Sequence, residues 1–273
     1  MTAIRTETRD GGRLVLNAAF APLLEARGLT TAAAVLSLPP AEVVRDVDRR
    51  VTARVELSGE DGTPRAFYLK RHGRPPAKEY VKPLLRLTRP LLGARPEWEA
   101  LLAFHAAGLP TMVPVAYGTR GAESFVMTEA LDDCDRADLW AEDRRGDHSE
   151  TARRDRSALT AAVARLARTM HAAGMHHQDF YLCHMLLPRG RDISSLKLID
   201  LGRVRKHSTL PDRWRVKDLA QLLHSAGPIP VRDRVRFLRA YLGRPIRRED
   251  RPLLDRVTRK AAAIGRHTAK NAL

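Results

Sequence analysis

"HAAGMHHQDFYLCHMLL" (residues 171–187) decides how this chain is read, together with "LKLIDLGRVR" (residues 196–205) downstream of it. The first stretch holds four histidines, an aspartate and a cysteine before it runs into apolar residues. It admits three readings: a metal site, a packed segment with stray histidines, or a catalytic loop. Residues 157–173, "SALTAAVARLARTMHAA", carry apolar positions at helical spacing and stop at Gly174, so the segment around Asp179 is the loop that follows a helix. Loops held by rigid elements are where chemistry concentrates. The second stretch reads as an apolar strand that delivers Asp200 into a polar, glycine-containing turn.

Upstream, "VTARVELSGEDGTPRAFYLK" (51–70) shows two β-rich runs around turn-forming residues, predicting an antiparallel hairpin whose second strand ends in Lys70. "RPEWEALLAFHAAGL" (95–109) has helical spacing, Pro96 in its first turn and Gly108 near its end, and places Glu97 at the start of that helix. "MVPVAYGTR" and "SFVMTEAL" read as two further strands, and beyond residue 150 the periodicity is mostly helical. "FAPLLEARGL" and "TAAAVLSL" predict two short helices ahead of the main fold. The expectation is an α+β chain with a helical N-terminal extension over 1–48, a β-rich lobe over 49–131 and a mainly helical lobe over 132–273.

Composition removes several alternatives. A chain of 273 residues with 44% hydrophobic content can bury two cores, which excludes disorder. The formal charge of +16 suits polyanionic partners, including an anionic membrane surface approached electrostatically. With 5% aromatic residues and no stacking motif, nucleic acid is not expected. The two cysteines, Cys134 and Cys183, form no CxxC pair, and no zinc tetrad is spaced around them, as expected of a reduced, cytoplasmic chain. The polar start does not resemble a signal peptide, and no apolar run reaches the roughly 20 residues a membrane helix needs.

Two aspartates on separate loops, with a strand-borne lysine and a helix-borne glutamate upstream, are what phosphoryl transfer from a nucleotide requires. One carboxylate takes the acceptor's proton, one holds Mg²⁺ against the phosphates, and the glutamate holds the lysine that neutralises phosphate charge. Lys70, Glu97, Asp179 and Asp200 occur in the order found in the protein kinase fold.

The segments "FYLKRH", "LGARPEWEALLAFHAAGLPTMVPVAYG", "SFVMTEAL", "RTMHAAGMHHQDFYLCHMLL" and "RWRVKDLAQLLHSA" resemble those of the lipopolysaccharide core heptose kinases of the WaaP (RfaP) type. That resemblance implies a two-lobed protein kinase-like fold and ATP-dependent phosphorylation of a heptose in the lipopolysaccharide inner core, at the inner face of the cytoplasmic membrane. It implies Asp179 as the base, Asp200 as the magnesium ligand, Lys70 and Glu97 as the phosphate-positioning pair, and Glu129 to Leu131 as the hinge whose backbone meets adenine. Asp218 would anchor the catalytic loop's backbone, with His177 in support. Two other readings share the fold: a kinase for another small hydroxyl compound of the aminoglycoside type, and a polyanion-binding pseudokinase. The intact four-residue set stands against the latter.

Three departures from protein kinases matter. His184 occupies the place of a metal-binding asparagine, as in the heptose kinases, and is either a poor magnesium ligand or a hydrogen-bonding group. Gln178 replaces an arginine that often receives an activating phosphate, and Tyr181 replaces a phosphate-binding lysine, a charge Arg203 could supply. "SGEDGTP" is not a true glycine-rich phosphate loop. His171, His176 and Cys183 are read as packing or loop support.

Overall fold

The computed structural model describes residues 3–47, 49–59, 62–74, 93–227 and 229–271. After Lys70 the sequence runs through a basic, proline-punctuated connection that lies outside the described residues over 75–92, as do Glu60 and Asp61 of the hairpin loop. The chain divides into two compact units, Met1–Gly108 with Met112–Leu131, and Leu109–Thr111 with Asp132–Leu273.

The first unit is built on a seven-stranded antiparallel sheet. Its strands are β1 (Thr6–Arg9), β2 (Leu14–Asn17), β3 (Glu42–Val47), β4 (Arg50–Ser58), β5 (Pro64–His72), β6 (Pro114–Arg120) and β7 (Glu123–Glu129), in the order β1-β2-β6-β7-β5-β4-β3. The expected hairpin is β4–β5, with Lys70 opposite Thr52 on one side and Val126 on the other. Side chains alternate across a strand. Phe67 and Leu69 therefore enter the core with Leu14, Leu16, Val55 and Met127, while Lys70 leaves that face. Helix α1 (Ala21–Ala26) and helix α2 (Ala32–Leu36) contribute Leu24 and Val35 to the same core, and Phe20 meets Phe67 edge-on at 6.1 Å. Helix α3 (Arg95–Ala106) lies against β6 and β7 with Trp98, Leu101 and Phe104 buried.

The two helices predicted before residue 48 are present, but a purely helical extension over 1–48 is incorrect. Residues 6–17 form a hairpin across a turn in which Gly11 and Gly12 take φ of +60° and +90°, and β2 pairs with β6. Leu14 and Leu16, two apart, are fully buried, so this hairpin is an integral edge of the sheet.

The second unit is mainly helical. It comprises α4 (Ala137–Asp143), α5 (Glu150–Ala172), α6 (Asp212–Ser225), α7 (Val231–Leu242) and α8 (Arg251–Asn271). Short strands β8 (Cys134–Arg136), β10 (Met185–Pro188) and β11 (Lys197–Leu198) form one small sheet; β9 (Met175–His176) and β12 (Arg205–Lys206) form another. The apolar strand expected before Asp200 shrinks to β11, because only Met185 and Leu186 of β10 pair with it. Helix α5 is capped by Ser149, whose hydroxyl accepts from the Ala152 amide, and packs Val163, Leu166, Ala167 and Met170 inward. It stops at Gly174, φ +75°, where an added Cβ would come within 2.1 Å of the His207 carbonyl. Only glycine lets the chain turn there into the loop that carries Asp179.

Candidate active site

In the first unit, Lys70 Nζ lies 2.6 Å from Glu97 Oε1. Glu97 belongs to the first turn of α3, where a carboxylate also suits the helix dipole, and its side chain is 5% exposed. Lysine from the strand and glutamate from the helix are thus brought together as the sequence order predicts. Glu129 closes β7 with its carboxylate paired to Arg65 at 2.6 Å. Its amide donates to the Val113 carbonyl and the Ala130 amide donates to the Ala66 carbonyl, so two of the three amides at the expected hinge are engaged in backbone hydrogen bonds.

In the second unit the loop after β9 is held from one face of α6. Asp218, fully buried, accepts from the His177 amide at 2.8 Å and the Gln178 amide at 3.0 Å. Burial alone would raise its carboxyl. The hydrogen bond and charge of His171, with the two loop amides, outweigh that and hold it below the usual carboxylate range. One turn further along α6, Gln221 accepts from the Phe180 amide and donates to the Gln178 carbonyl at 2.6 Å and to the Tyr181 hydroxyl at 3.1 Å. One turn beyond that, the Ser225 hydroxyl accepts from the Leu182 amide at 3.0 Å. Positions 218, 221 and 225 share a helix face and meet loop residues 178, 180 and 182, so a helical period reads an extended one. The sequence reading found Asp218 but missed Gln221 and Ser225, although their spacing from Asp218 was the available signal.

His177 is buried, and burial pushes its imidazole below the ordinary histidine range. Its Nε2 faces the Ile199 carbonyl at 3.0 Å and its Nδ1 accepts from the Asp179 amide at 3.3 Å, which fixes the Nε2–H tautomer of the neutral ring. His184 shows the opposite arrangement. Its Nδ1 faces the Asp179 carbonyl at 2.7 Å, and its Nε2 stands 3.8 Å from Asp200 Oδ2. The Asp179 carboxylate contacts Arg203 Nη1 through both oxygens, at 2.8 and 2.9 Å. Lys217, another cation the sequence reading did not single out, is held below the usual lysine range by burial and then by repulsion from Arg203.

Four described non-glycine residues take positive φ, and two of them are Gln178 (+72°) and Asp200 (+60°). Such conformations cost on the order of 1 kcal/mol or more each and persist where the surroundings fix them, as Asp218 and Gln221 fix Gln178. His171 and His176, read from sequence as packing or loop support, make contacts of that kind. His171 bridges Asp218 and the Tyr241 hydroxyl, and His176 stacks on Trp214 with ring centroids 4.4 Å apart. Cys134 and Cys183 are both free thiols. Among the described residues no three His, Cys, Asp or Glu side chains gather as a metal cage, and no helix is long and apolar enough to cross a membrane.

Three comparisons bear on this geometry. The chain is 38% identical over 266 residues, 92% of its own length and 96% of the relative's, to the lipopolysaccharide core heptose(I) kinase WaaP of Pseudomonas aeruginosa. It is 35% identical to the lipopolysaccharide core heptose(I) kinase WaaP of Escherichia coli K12, over 85% of this chain and 90% of that one. Among solved structures, WaaP in complex with acyl carrier protein superposes with a TM-score of 0.72 at 37% identity, covering 92% of this chain and 98% of that one. The two-lobed, kinase-like α+β fold expected from sequence is therefore the observed one. The model of the lipopolysaccharide kinase (Kdo/WaaP) family matches residues 37–241, and the chain belongs to that family.

Proposed function

We propose that this protein transfers the γ-phosphoryl group of ATP to a heptose hydroxyl of the lipopolysaccharide inner core. The observation that carries the reading is the 2.6 Å Lys70–Glu97 pair, retained together with Asp179 and Asp200 in a chain this similar to heptose(I) kinases. Asp179 takes the acceptor's proton as the hydroxyl oxygen attacks phosphorus, and Lys70, held by Glu97, neutralises phosphate charge. The Leu131 amide receives adenine. Asp200 and His184 are the pair that would hold Mg²⁺: Nδ1 donates to the Asp179 carbonyl, leaving Nε2, 3.8 Å from Asp200 Oδ2, as the nitrogen that would face the ion. An ion held by these two residues would supply positive charge to offset that on the phosphates.

The acceptor is anionic and lipid-linked, so the protein works in the cytoplasm at the inner membrane face, attached by its +16 charge. A second partner reading rests on the solved relative bound to acyl carrier protein. The helical unit holds a cavity of about 710 Å³ whose lining includes Leu159, Val163, Leu223, Phe237, Leu238 and Leu254, apolar enough for a carrier's acyl chain.

The test is transfer of labelled phosphate from ATP to dephosphorylated core lipopolysaccharide, intact core, an aminoglycoside and casein, repeated from low salt to a few tenths molar. Labelling of the dephosphorylated core alone, with acceptor KM rising with salt and ATP KM nearly constant, supports the reading. Preference for the aminoglycoside, or a salt-indifferent acceptor KM, rejects it.

A further inference from the structure

Gln178 and Arg203 form a closed ring with the base. The Gln178 side chain donates through Nε2 to the Arg203 carbonyl at 2.8 Å, while the Arg203 guanidinium returns to the carboxylate of Asp179, the next residue, through both oxygens. Gln178 cannot follow a moving partner. Its amide is held by Asp218 and its carbonyl by Gln221, its φ is +72°, and it is only 8% exposed. Arg203 ends the 3-10 turn Leu201–Arg203 that Asp200 opens, and the next residues enter β12, which pairs with β9. The ring therefore fixes the base relative to the turn that begins at the second aspartate.

Position 178 carries a neutral amide beside a cationic stretch. The segment after Asp200 carries Arg203, Arg205 and Lys206, and Lys217 is repelled by Arg203. An amide supplies the same hydrogen bond to the Arg203 carbonyl without adding a cation, and leaves Arg203 as the cation on Asp179.

We propose that Gln178 is a positioning residue that acts through Arg203, and that Arg203 holds the Asp179 carboxylate and then follows the charge through the reaction. This rests on the kinase reading above. As the acceptor oxygen forms its bond to phosphorus, its proton passes to Asp179, and the bond from the γ-phosphorus to the bridging oxygen breaks with its electron pair left on ADP. Asp179 is then neutral. The guanidinium loses its carboxylate partner in the step that creates a phosphomonoester on the acceptor, and it turns to that new anion.

Wild type, Gln178→Ala, Arg203→Ala and the double variant test this, with kcat and both KM values measured on dephosphorylated core lipopolysaccharide. Each single change lowers kcat roughly 10- to 100-fold with ATP KM within about threefold. The double variant is no slower than Arg203→Ala, because Gln178 works through that residue. Guanidinium added below denaturing concentration restores part of the Arg203→Ala activity and none of the Gln178→Ala loss. Additive losses, or no guanidinium rescue, overturn the proposal. Amide hydrogen exchange separates its failure from that of the kinase reading: Gln178→Ala speeds exchange across residues 201–206 about tenfold or more and leaves α6 unchanged. Unchanged exchange there overturns the proposal whatever the activity, whereas a wild type that phosphorylates no acceptor yet shows the exchange difference refutes the kinase reading alone.

Discussion

Replacing Asp218 by Asn removes the charge that organises the loop carrying Asp179 while keeping the side chain's shape. In the native protein Oδ2 accepts from the His177 amide and faces His171 Nε2 at 3.3 Å, and Oδ1 accepts from the Gln178 amide. A carboxamide has one acceptor oxygen. If that oxygen faces Gln178, its NH₂ opposes the His177 N–H; the flipped rotamer strands Gln178 instead. One buried amide is orphaned either way, at about 1–3 kcal/mol, and the surviving bond loses its charge assistance, about 1 kcal/mol more. With the His171 contact weakened, the loss is about 3–5 kcal/mol, the range seen when one partner of a buried charged contact is removed. Against a total stability of about 5–15 kcal/mol the variant still folds. Because the two amides belong to the residues just before Asp179, kcat falls roughly 10- to 100-fold in the folded fraction. Asp218 is held below the usual carboxylate range, so its stabilisation is full above that range and lost as pH falls through the lower, folded-state value. Urea unfolding followed by tryptophan fluorescence, single-turnover kinetics and exchange at the 177 and 178 amides check this. A stability change under about 1 kcal/mol with native exchange and kcat would refute the reasoning, because buried amides cannot lose a partner at no cost.

Asp179→Asn should leave nucleotide affinity nearly intact and lower single-turnover transfer by about two to four orders of magnitude; wild-type turnover would remove Asp179 from the chemistry. Asp200→Ala should abolish transfer at any Mg²⁺ concentration, while His184→Asn should retain activity at a shifted Mg²⁺ requirement; equal effects would make the two equivalent ligands. His176, fully buried, has its imidazole pushed down to about 4, chiefly by burial. Protonating the unfolded chain therefore costs the folded state nothing above pH 6.5 and on the order of 3 kcal/mol by pH 4. Urea melts of His176→Phe, which keeps the stack on Trp214, should lose less stability than wild type between pH 7 and 4.5, and parallel losses would contradict the assignment.

How much was legible from sequence depended on the range of the signal. The β4–β5 hairpin, α3 and α5 announced themselves through local periodicity and turn residues, and the order of Lys70, Glu97, Asp179 and Asp200 carried the resemblance to kinases. The β1–β2 hairpin was missed because its strands are four residues long and its apolar alternation is confined to Leu14 and Leu16, although "RDGGR" marks the turn. Strand β11 was overread because an apolar run does not say how many partners its backbone will find. Arg203 was expected to offer its charge to phosphate, whereas its guanidinium rests on Asp179, a contact between loops that no spacing rule contains. Gln178 was read only for what it lacks, an arginine's charge; what it does depends on its left-handed backbone, which sequence does not display.

Strand β2 sets a constraint on the time course of folding. It docks on β6, and the Asn17 side chain donates to the Pro114 carbonyl, a contact 97 residues apart along the chain. The β4–β5 and β6–β7 hairpins can close locally, but Leu14 and Leu16 have no completed core until β6 has been synthesised and paired. Closing so long a loop is slow and leaves an uncapped β6 edge in the interval. Partial products ending before residue 114 therefore carry the N-terminal hairpin with the β6-facing edge of β2 unpaired, an exposed edge open to aggregation and to chaperone capture.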